Sequence, residues 1–553
     1  MPDWLRGYRP AWLRYDLVAG LTVWAVLVPE SLAYATIAGV SPVVGLYAAV
    51  PSLILYALFG SSRQLVVGPM AATAALSASI VAVYADAGSE DYAAVTTALA
   101  IVTSAVALAA GLLRLGFLAG FISEPVLKGF ILGMALTIIV GQIPKLLGIS
   151  KEEGNFFEQA WHVLTGLGGT NGWALGTGAL CLAAVLGLKR WLPLVPGALV
   201  AVAIGIGAVA ALGLDDRGVD IVGRIDTGLP ALGLPDVEAS VWAGLIGPAV
   251  GVMLIGFVEG LGASKAYAAE NGYSIDPDRE LIGLGAANLG SGLASGMVVN
   301  GSLSKTAVNG GAGARTQVSS LTVALLTVVT LLFLTGLFEQ LPEAALAAVV
   351  IAALIELVDF SAFRRLWRVS LAPRGTSASL AARPDFVAAF AAMLGVLVFD
   401  TLPGLVIGMV LSLLLLVYRA SRPNLTALGR TGSGHWVGIE RHEGARPVAG
   451  VAVVRCEGSL FFANADRVKA ALLAAAAGHR AVVLDGGSMP LVDVSAAQML
   501  AELDGELRRA GVDFYLAHDI GQVRDILRRA EIDLERVYPT IDEAVAAAGE
   551  RGS

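Results

Sequence analysis

Apolar segments follow one another with little interruption from about residue 14 to about residue 420. No water-soluble core absorbs that much apolar chain in consecutive helical lengths. The segments must cross a membrane as α-helices, which satisfy their own backbone hydrogen bonds in lipid. We read spans near 16–38, 42–60, 69–85, 93–113, 117–147, 172–188, 193–213, 240–266, 280–296, 301–311, 316–337, 343–358, 385–400 and 403–420, about fourteen in all. The stretch 117–147 is long enough to be bent or broken. Those at 69–85 and 301–311 fall short of the roughly 20 residues a full crossing takes and read as half-helices. The composition agrees: 56% hydrophobic, 15% charged, with a mean hydropathy of +0.73. The 66 glycines suit close helix packing.

One stretch breaks this pattern. Residues 297–321 read MVVNGSLSKTAVNGGAGARTQVSSL, with Ser302, Ser304, Lys305, Thr306 and Asn309 crowded together. Such chain cannot face lipid and belongs against a protein-walled cavity. It has a relative in the first half: 65–73 (LVVGPMAAT) resembles 297–305 (MVVNGSLSK), each an apolar strand-like triplet, a breaker and a small-residue helix start. Interruptions in corresponding places of two halves point to a site near the bilayer midplane, and they fit a seven-plus-seven inverted repeat. Half-helices starting near Pro69 and Gly301 and facing each other would present free N–H groups and positive dipole ends to an anion. Pro69 suits a first helical turn, where its missing N–H costs nothing. Lys305 adds a full positive charge, either as an anion ligand or as the counter-charge of a buried carboxylate.

Two acids lie at membrane depth. Glu30, in VLVPESLAYA, follows a helix-breaking proline; Glu259 sits in LIGFVEGLGAS. Loss of solvent disfavours the charged form of each, which makes both candidate proton carriers. The alternative is a permanent pairing with Lys305. Tyr34, one turn after Glu30, either lines the cavity or packs. Glu356 and Asp359, beside Arg364 and Arg365 at a span end, read as interfacial.

Several function classes lose support. GLGASK at 260–265 lacks the spacing of a phosphate loop, and Gly283 and Gly285 lack the third glycine and preceding strand of a dinucleotide fingerprint. The five histidines are scattered without metal-ligand spacing. Ser302 and Ser304 have no histidine nearby in sequence. Cys181 and Cys456 form no disulfide framework. We therefore expect no enzyme, no metal, no cofactor and no nucleic-acid partner. The polar N-terminal MPDWLRGYRPAWLRYD gives no sign of a cleavable leader. Lys and Arg crowd the loops that are cytoplasmic if the N-terminus is inside, leaving Lys145, Lys151, Arg217 and Arg224 outside. That bias predicts an even number of spans, with both termini in the cytoplasm.

The composition changes after Arg422. Residues 448–553 alternate short β-branched runs (451–455, 481–485, 512–517) with helical stretches (465–477, 495–510, 520–530, 541–548), the pattern of one small α/β domain. The expected layout is a membrane domain over 1–422, a linker over 423–447 and a soluble domain over 448–553.

The run 29–69, PESLAYATIAGVSPVVGLYAAVPSLILYALFGSSRQLVVGP, resembles the signature region of the SulP family of sulfate permeases and related solute carrier 26 anion transporters. Residues 272–292 (GYSIDPDRELIGLGAANLGSG) and 297–321 are similar to the same family, and the tail resembles a STAS domain. The resemblance implies a fourteen-span, seven-plus-seven inverted repeat with gate and core subdomains and two half-helices meeting around the anion, usually in a homodimer. Carried over by motif, the substrate site would use Glu30, Tyr34, Met70, Ala71, Thr73, Ser302, Ser304 and Lys305, with Glu259 and Glu30 in proton coupling. Glu30 stands where the family often has Gln, which favours proton coupling here. In the tail motif LVDVSAAQML, Val494 follows Asp493 where a phosphorylated Ser would be expected, which leaves Ser495 as a weak candidate for modification.

The expected function is secondary active transport of a small anion, a dicarboxylate such as fumarate or sulfate, across a cytoplasmic inner membrane. The expected mechanism is proton symport with an elevator-like motion. The rivals are a sodium-coupled bicarbonate carrier, an uncoupled anion facilitator or channel, and a membrane sensor signalling through its STAS domain. Besides the bilayer and the anion, a cytoplasmic regulator of the STAS domain is an expected partner.

Overall fold

The computed structural model describes all residues except 1–3, 6–7, 87–88, 118–122, 151–153, 193–194, 224–227, 359, 372–376, 400, 519–520, 530–535 and 551–553. Asp359, and the side chain of Glu356, lie outside the described part. The chain forms two compact units, Met1–Ser412 and Leu413–Ser553.

Every expected apolar segment holds a helix. In the first half these are α1 (Leu13–Ile37), α2 (Pro42–Phe59), the short α3 (Ala71–Val81) preceded by strand β1 (Val66–Gly68), α4 (Glu90–Leu112), α5 (Glu124–Leu147), then α6 (Phe156–Gly166), α7 (Gly172–Trp191) and α8 (Gly197–Leu212). The second half has α9 (Ala239–Asn271), α10 (Pro277–Leu293), strand β2 (Asn300–Ser302), the short α11 (Leu303–Gly311), α12 (Val318–Val329), α13 (Glu343–Leu357), α14 (Phe360–Ser370), α15 (Ser377–Phe399) and α16 (Thr401–Ala420). Among the described residues, eight helices are long and apolar enough to cross a membrane, with α3, α8, α13 and the apolar part of α15 shorter.

Two helices were not foreseen. α6 opens on a capping box: the Asn155 side chain accepts from Phe157 and Glu158 N–H while Glu158 reaches back to Asn155 N–H. α14 is amphipathic and too short and charged to read as a span. Within the segment at 117–147, α5 covers 124–147, and Pro125 in its first turn marks a helix start.

The packing repeats between the halves. α1 packs on α12 as α9 packs on α4; α2 packs on α12 as α10 packs on α4; α7 packs on α13 as α15 packs on α5. α2 against α10 and α5 against α13 are the self-related contacts. This is the seven-plus-seven repeat, with α6 and α14 as insertions at the same place in each half.

The C-terminal unit has a six-stranded sheet in the order β4-β3-β5-β6-β7-β8. Its strands are β3 (Asn424–Arg430), β4 (Trp436–Gly438), β5 (Val451–Glu457), β6 (Ala481–Asp485), β7 (Asp513–Ala517) and β8 (Val537–Tyr538). The expected linker over 423–447 is corrected here. β3 pairs antiparallel with both β4 and β5, so this segment is the edge of the sheet. Its backbone is satisfied by strands that sequence alone does not place beside it. β5 through β8 are parallel. Side chains alternate by face: Val482 and Leu484 join the core under α17 (Ala465–Ala476), α18 (Val494–Arg509) and α19 (Gly521–Arg529), while Ala481 and Val483 face α20 (Ile541–Glu550). Asp493 caps α18, accepting from Ala496 N–H at 2.8 Å, and also accepts from Phe462 N–H at 2.9 Å. Ser495 is exposed in the first turn.

At the carboxyl ends of β5 to β7, Asp485 is fully buried. Burial works to raise its pKa, but Arg455 Nε at 2.6 Å, Gly487 N–H at 3.0 Å and His518 Nδ1 at 3.0 Å outweigh it and hold the carboxyl below its usual range.

Candidate functional site

Strands β1 and β2 pair antiparallel in the register Val66 to Ser302, Val67 to Gly301 and Gly68 to Asn300. α3 and α11 follow them, so the two half-helices, one from each repeat, leave the ladder at its opposite ends. Side chains lock this ladder from both flanks. Val66 N–H donates to Thr306 Oγ1 at 3.1 Å, and Asn309 Nδ2 donates to the Gln64 carbonyl at 2.9 Å. Asn288 of α10 clamps Val299, accepting from its N–H at 3.0 Å and donating to its carbonyl at 2.9 Å. Gln317 Nε2 reaches the carbonyls of Ser62 and Leu65, each at 2.9 Å.

Glycine is required where β2 meets α9. A methyl group on Gly301 would lie 2.9 Å from the Gly260 Cα and 2.8 Å from the Leu65 side chain. Gly256, one turn earlier, lies against Asn300. Neither position has space for a side chain without moving the ladder.

The helix starts differ in capping. Met70, the cap residue of α3, is extended and supplies no side-chain hydrogen bond, so the first N–H groups of α3 remain available to a ligand. On α11, Ser302 Oγ accepts from Lys305 N–H at 3.3 Å and lies 3.2 Å from Ser304 Oγ. Thr73 turns inward and donates to the Met70 carbonyl at 3.3 Å. Ala71, Thr73 and Ser302 are buried, Met70 is half-buried and Ser304 is exposed.

Lys305 is 1% exposed. Its Nζ lies 2.9 Å from Glu30 Oε2, donates to the Pro69 carbonyl at 3.0 Å and sits 5.0 Å above the centre of the Tyr34 ring. In this structure the ammonium is paired with Glu30, and Tyr34 adds a cation–π contact. Pro29 and Glu30 fall within α1, which continues through them. Glu259 is not part of this pair. It lies on α9, next to Gly260 in sequence, with its Oε2 buried and without a hydrogen-bond partner. Eight of the nine expected residues therefore gather at the α1, α3 and α11 junction, with Glu259 on the neighbouring helix.

Two acids that the sequence reading left unassigned anchor the site. Glu280 is fully buried and accepts from Tyr56 OH, Ser61 N–H and Oγ, Ser62 N–H and Ser264 Oγ, all between 2.7 and 3.1 Å. It fixes the turn that leads into β1. Asp16 accepts from Arg315 N–H at 2.6 Å and from Thr316 N–H and Oγ1, and so fixes the turn leading into α12. The available signal was an acid at the start of an apolar helix with no cation at helical spacing.

Residues 13–376 match the model of the sulfate permease family, and residues 444–544 match the STAS domain. The chain belongs to the sulfate permease family. Its relatives in that family include a probable sulfate transporter of Mycobacterium tuberculosis, 37% identical over 98% of this chain and 96% of the other. The chloroplastic sulfate transporter 4.1 of Arabidopsis thaliana is 32% identical over 84% of this chain and 67% of that one. Among solved structures, the murine Solute Carrier 26 family member A9 anion transporter in its inward-facing state superposes with a TM-score of 0.89. It is 23% identical, over 99% of this chain and 93% of that one. The membrane domain of a cyanobacterial bicarbonate transporter superposes with a TM-score of 0.61 at 24% identity, over 70% of this chain and 97% of that one. Both are likenesses of fold. The sulfate permease family is a family of membrane transporters, and this multi-pass member is a transporter and not an enzyme.

Proposed function

We propose that this chain carries a small divalent oxyanion, sulfate ahead of dicarboxylates such as fumarate, across the cytoplasmic membrane together with protons. One observation carries the reading: the β1–β2 ladder ties the starts of α3 and α11 together, and Lys305 of α11 reaches both Glu30 and the Pro69 carbonyl at the start of α3. Helix N-termini and an ammonium favour an anion over a cation at that point. The names of the relatives support sulfate.

The ion pair supplies a coupling logic. While Glu30 is ionised, it neutralises Lys305 and the site holds no net positive charge. A proton on Glu30 releases the ammonium for an incoming anion, so the proton and anion favour each other's binding by linkage. When the anion leaves, Lys305 pairs again with Glu30. Glu259, whose Oε2 is buried without a hydrogen-bond partner, supplies a second proton position. The ladder makes α3 and α11 one body, which suits an elevator-like displacement of the site against the scaffold helices. Cytoplasmic termini and a homodimer complete the proposal.

The test is uptake by the purified protein in liposomes across sulfate, fumarate, bicarbonate and chloride, with and without an inward proton gradient and with sodium varied. Sulfate uptake driven by the proton gradient is the expected result. Uptake indifferent to that gradient sinks the symport. Sodium-dependent bicarbonate uptake without sulfate uptake would favour the bicarbonate reading.

A further inference from the structure

A small cavity of about 10 Å³ lies where β2 meets α4, α9 and α10. Val252, Phe257, Leu281 and Leu284 form apolar parts of its wall, and Thr103, Asn288 and Asn300 are polar members of its lining. The Asn288 amide is fully used: it donates to the Leu284 and Val299 carbonyls and accepts from Val299 N–H. Thr103 and Asn300 are each 2% exposed, and among the described residues Thr103 Oγ1 and Asn300 Nδ2 have no hydrogen-bond partner.

The orientation of Asn300 is set by its neighbour. Its Oδ1 accepts from Gly301 N–H at 2.8 Å, and the opposite amide orientation would put two donors face to face. Nδ2 therefore points at α9, where a methyl group on Gly256, itself part of the cavity wall, would collide with it. Thr103 also departs from a pattern. Thr96 on the same helix and Thr327 on α12 each donate to the carbonyl four residues back at 2.8 Å. The Thr103 hydroxyl makes no such bond. A buried N–H and a buried hydroxyl are both costly while unpaired. A cation would face the Asn300 N–H, and an oxyanion is too large for the volume. A water molecule fits: it needs about 10–15 Å³ of such space and two or more polar partners.

We infer that this cavity is the site of one resident water, which accepts from Asn300 Nδ2 and hydrogen-bonds the Thr103 hydroxyl. Through it α4 holds Asn300, and Asn300 holds Gly301 N–H one residue before Ser302, the cap of α11. Thr103 is thereby a positioning residue for the second half-helix, although it lies outside the anion site.

The first test is a cryo-EM map of the full chain at a resolution that shows ordered water. A peak is expected within about 2.7–3.2 Å of both Thr103 Oγ1 and Asn300 Nδ2; a map that shows other buried waters but no peak here overturns the site. The second test compares Thr103→Val, which keeps the shape and removes the hydroxyl, with Thr103→Ser, which keeps the hydroxyl. In the Val variant the peak disappears and the unfolding temperature falls, while the Ser variant keeps the peak. A Val variant as stable as the wild type indicates a dry apolar cavity and also overturns the site. The positioning role rests on the sulfate reading and is measured separately, as liposome uptake. Thr103→Val raises KM for sulfate by about three- to tenfold, the scale of one lost hydrogen bond, at an unchanged amount of folded protein. Unchanged KM in that variant overturns the positioning role, whereas failure of sulfate uptake in the wild type leaves the map and the unfolding comparison standing.

Discussion

Lys305 Nζ lies 2.9 Å from Glu30 Oε2, so a buried ion pair joins the first helix of one repeat to the half-helix of the other. Neither charge has water to fall back on, and removal of one leaves the other uncompensated. Lys305→Gln alone is expected to destabilise the protein by about 3–5 kcal/mol. The double variant Glu30→Gln/Lys305→Gln recovers most of that while sulfate uptake stays at background. Thermal unfolding in detergent, alongside liposome uptake, checks both halves of the prediction.

Glu30→Gln alone should keep the shape of the site and remove the acid. Lys305 then stays available at every pH. Anion exchange across the membrane persists, but its response to a proton gradient falls by at least about tenfold if the coupling runs through this residue. A wild-type response in this variant would move the coupling to Glu259.

Gly301→Ala tests the ladder. The added methyl meets the Gly260 backbone, which cannot rotate away as a side chain would. β2 must shift, and with it the start of α11. Uptake should drop by roughly 100-fold, the scale of an ångström of misplacement at a site, while the protein still inserts and purifies.

Glu280→Gln replaces an acceptor of five donors with a group that itself donates. Its amide oxygen can keep the Ser61 and Ser62 N–H groups, but its NH2 then faces the Tyr56 and Ser264 hydroxyls, which must give up donating at that position. The expected loss is about 2–4 kcal/mol, seen as a lower unfolding temperature, with a raised KM for the anion as the turn into β1 loosens.

In the C-terminal domain, the Asp485 carboxyl sits below its ordinary range because Arg455, Gly487 N–H and His518 overcome its burial. A depressed folded value stabilises the fold above the ordinary carboxylate pKa of about 4. That stabilisation fades as pH falls through the folded value. The stability difference between wild type and Asp485→Asn, measured by denaturant unfolding, should therefore be largest near about pH 6 and shrink towards about pH 3. A difference independent of pH would contradict the assignment.

Much of this molecule could be read from its sequence, for identifiable reasons. The spans are long apolar runs whose burial needs no knowledge of neighbours. The interruptions at 65–73 and 297–305 showed as a repeat, but the second strand lies at 300–302 and not over the apolar Met297–Val299, and its antiparallel pairing with 66–68 could not be read from the sequence. The pairing of Lys305 could not be read, because Glu30 and Glu259 are both acids at membrane depth and only the packing of the helices separates them. Glu280 and Asp16 stayed hidden because their partners are mostly backbone and hydroxyl groups, which leave no mark in a sequence. Asn424–Arg430 looked like a linker because the strand is half exposed and its alternation is weak. α14 was missed because its charges lower its hydropathy below that of a span.

The β1–β2 ladder also bears on how the protein is made. Val66 donates its N–H to Thr306, at a sequence separation of 240 residues. At about 5–20 residues per second, β1 leaves the ribosome some 10–50 s before its mate exists. During that interval its unpaired edge must be sheltered from lipid by the insertion machinery or by water. Biogenesis therefore has a built-in waiting period, and a pulse-chase experiment should find the first half protease-sensitive until translation has passed α11.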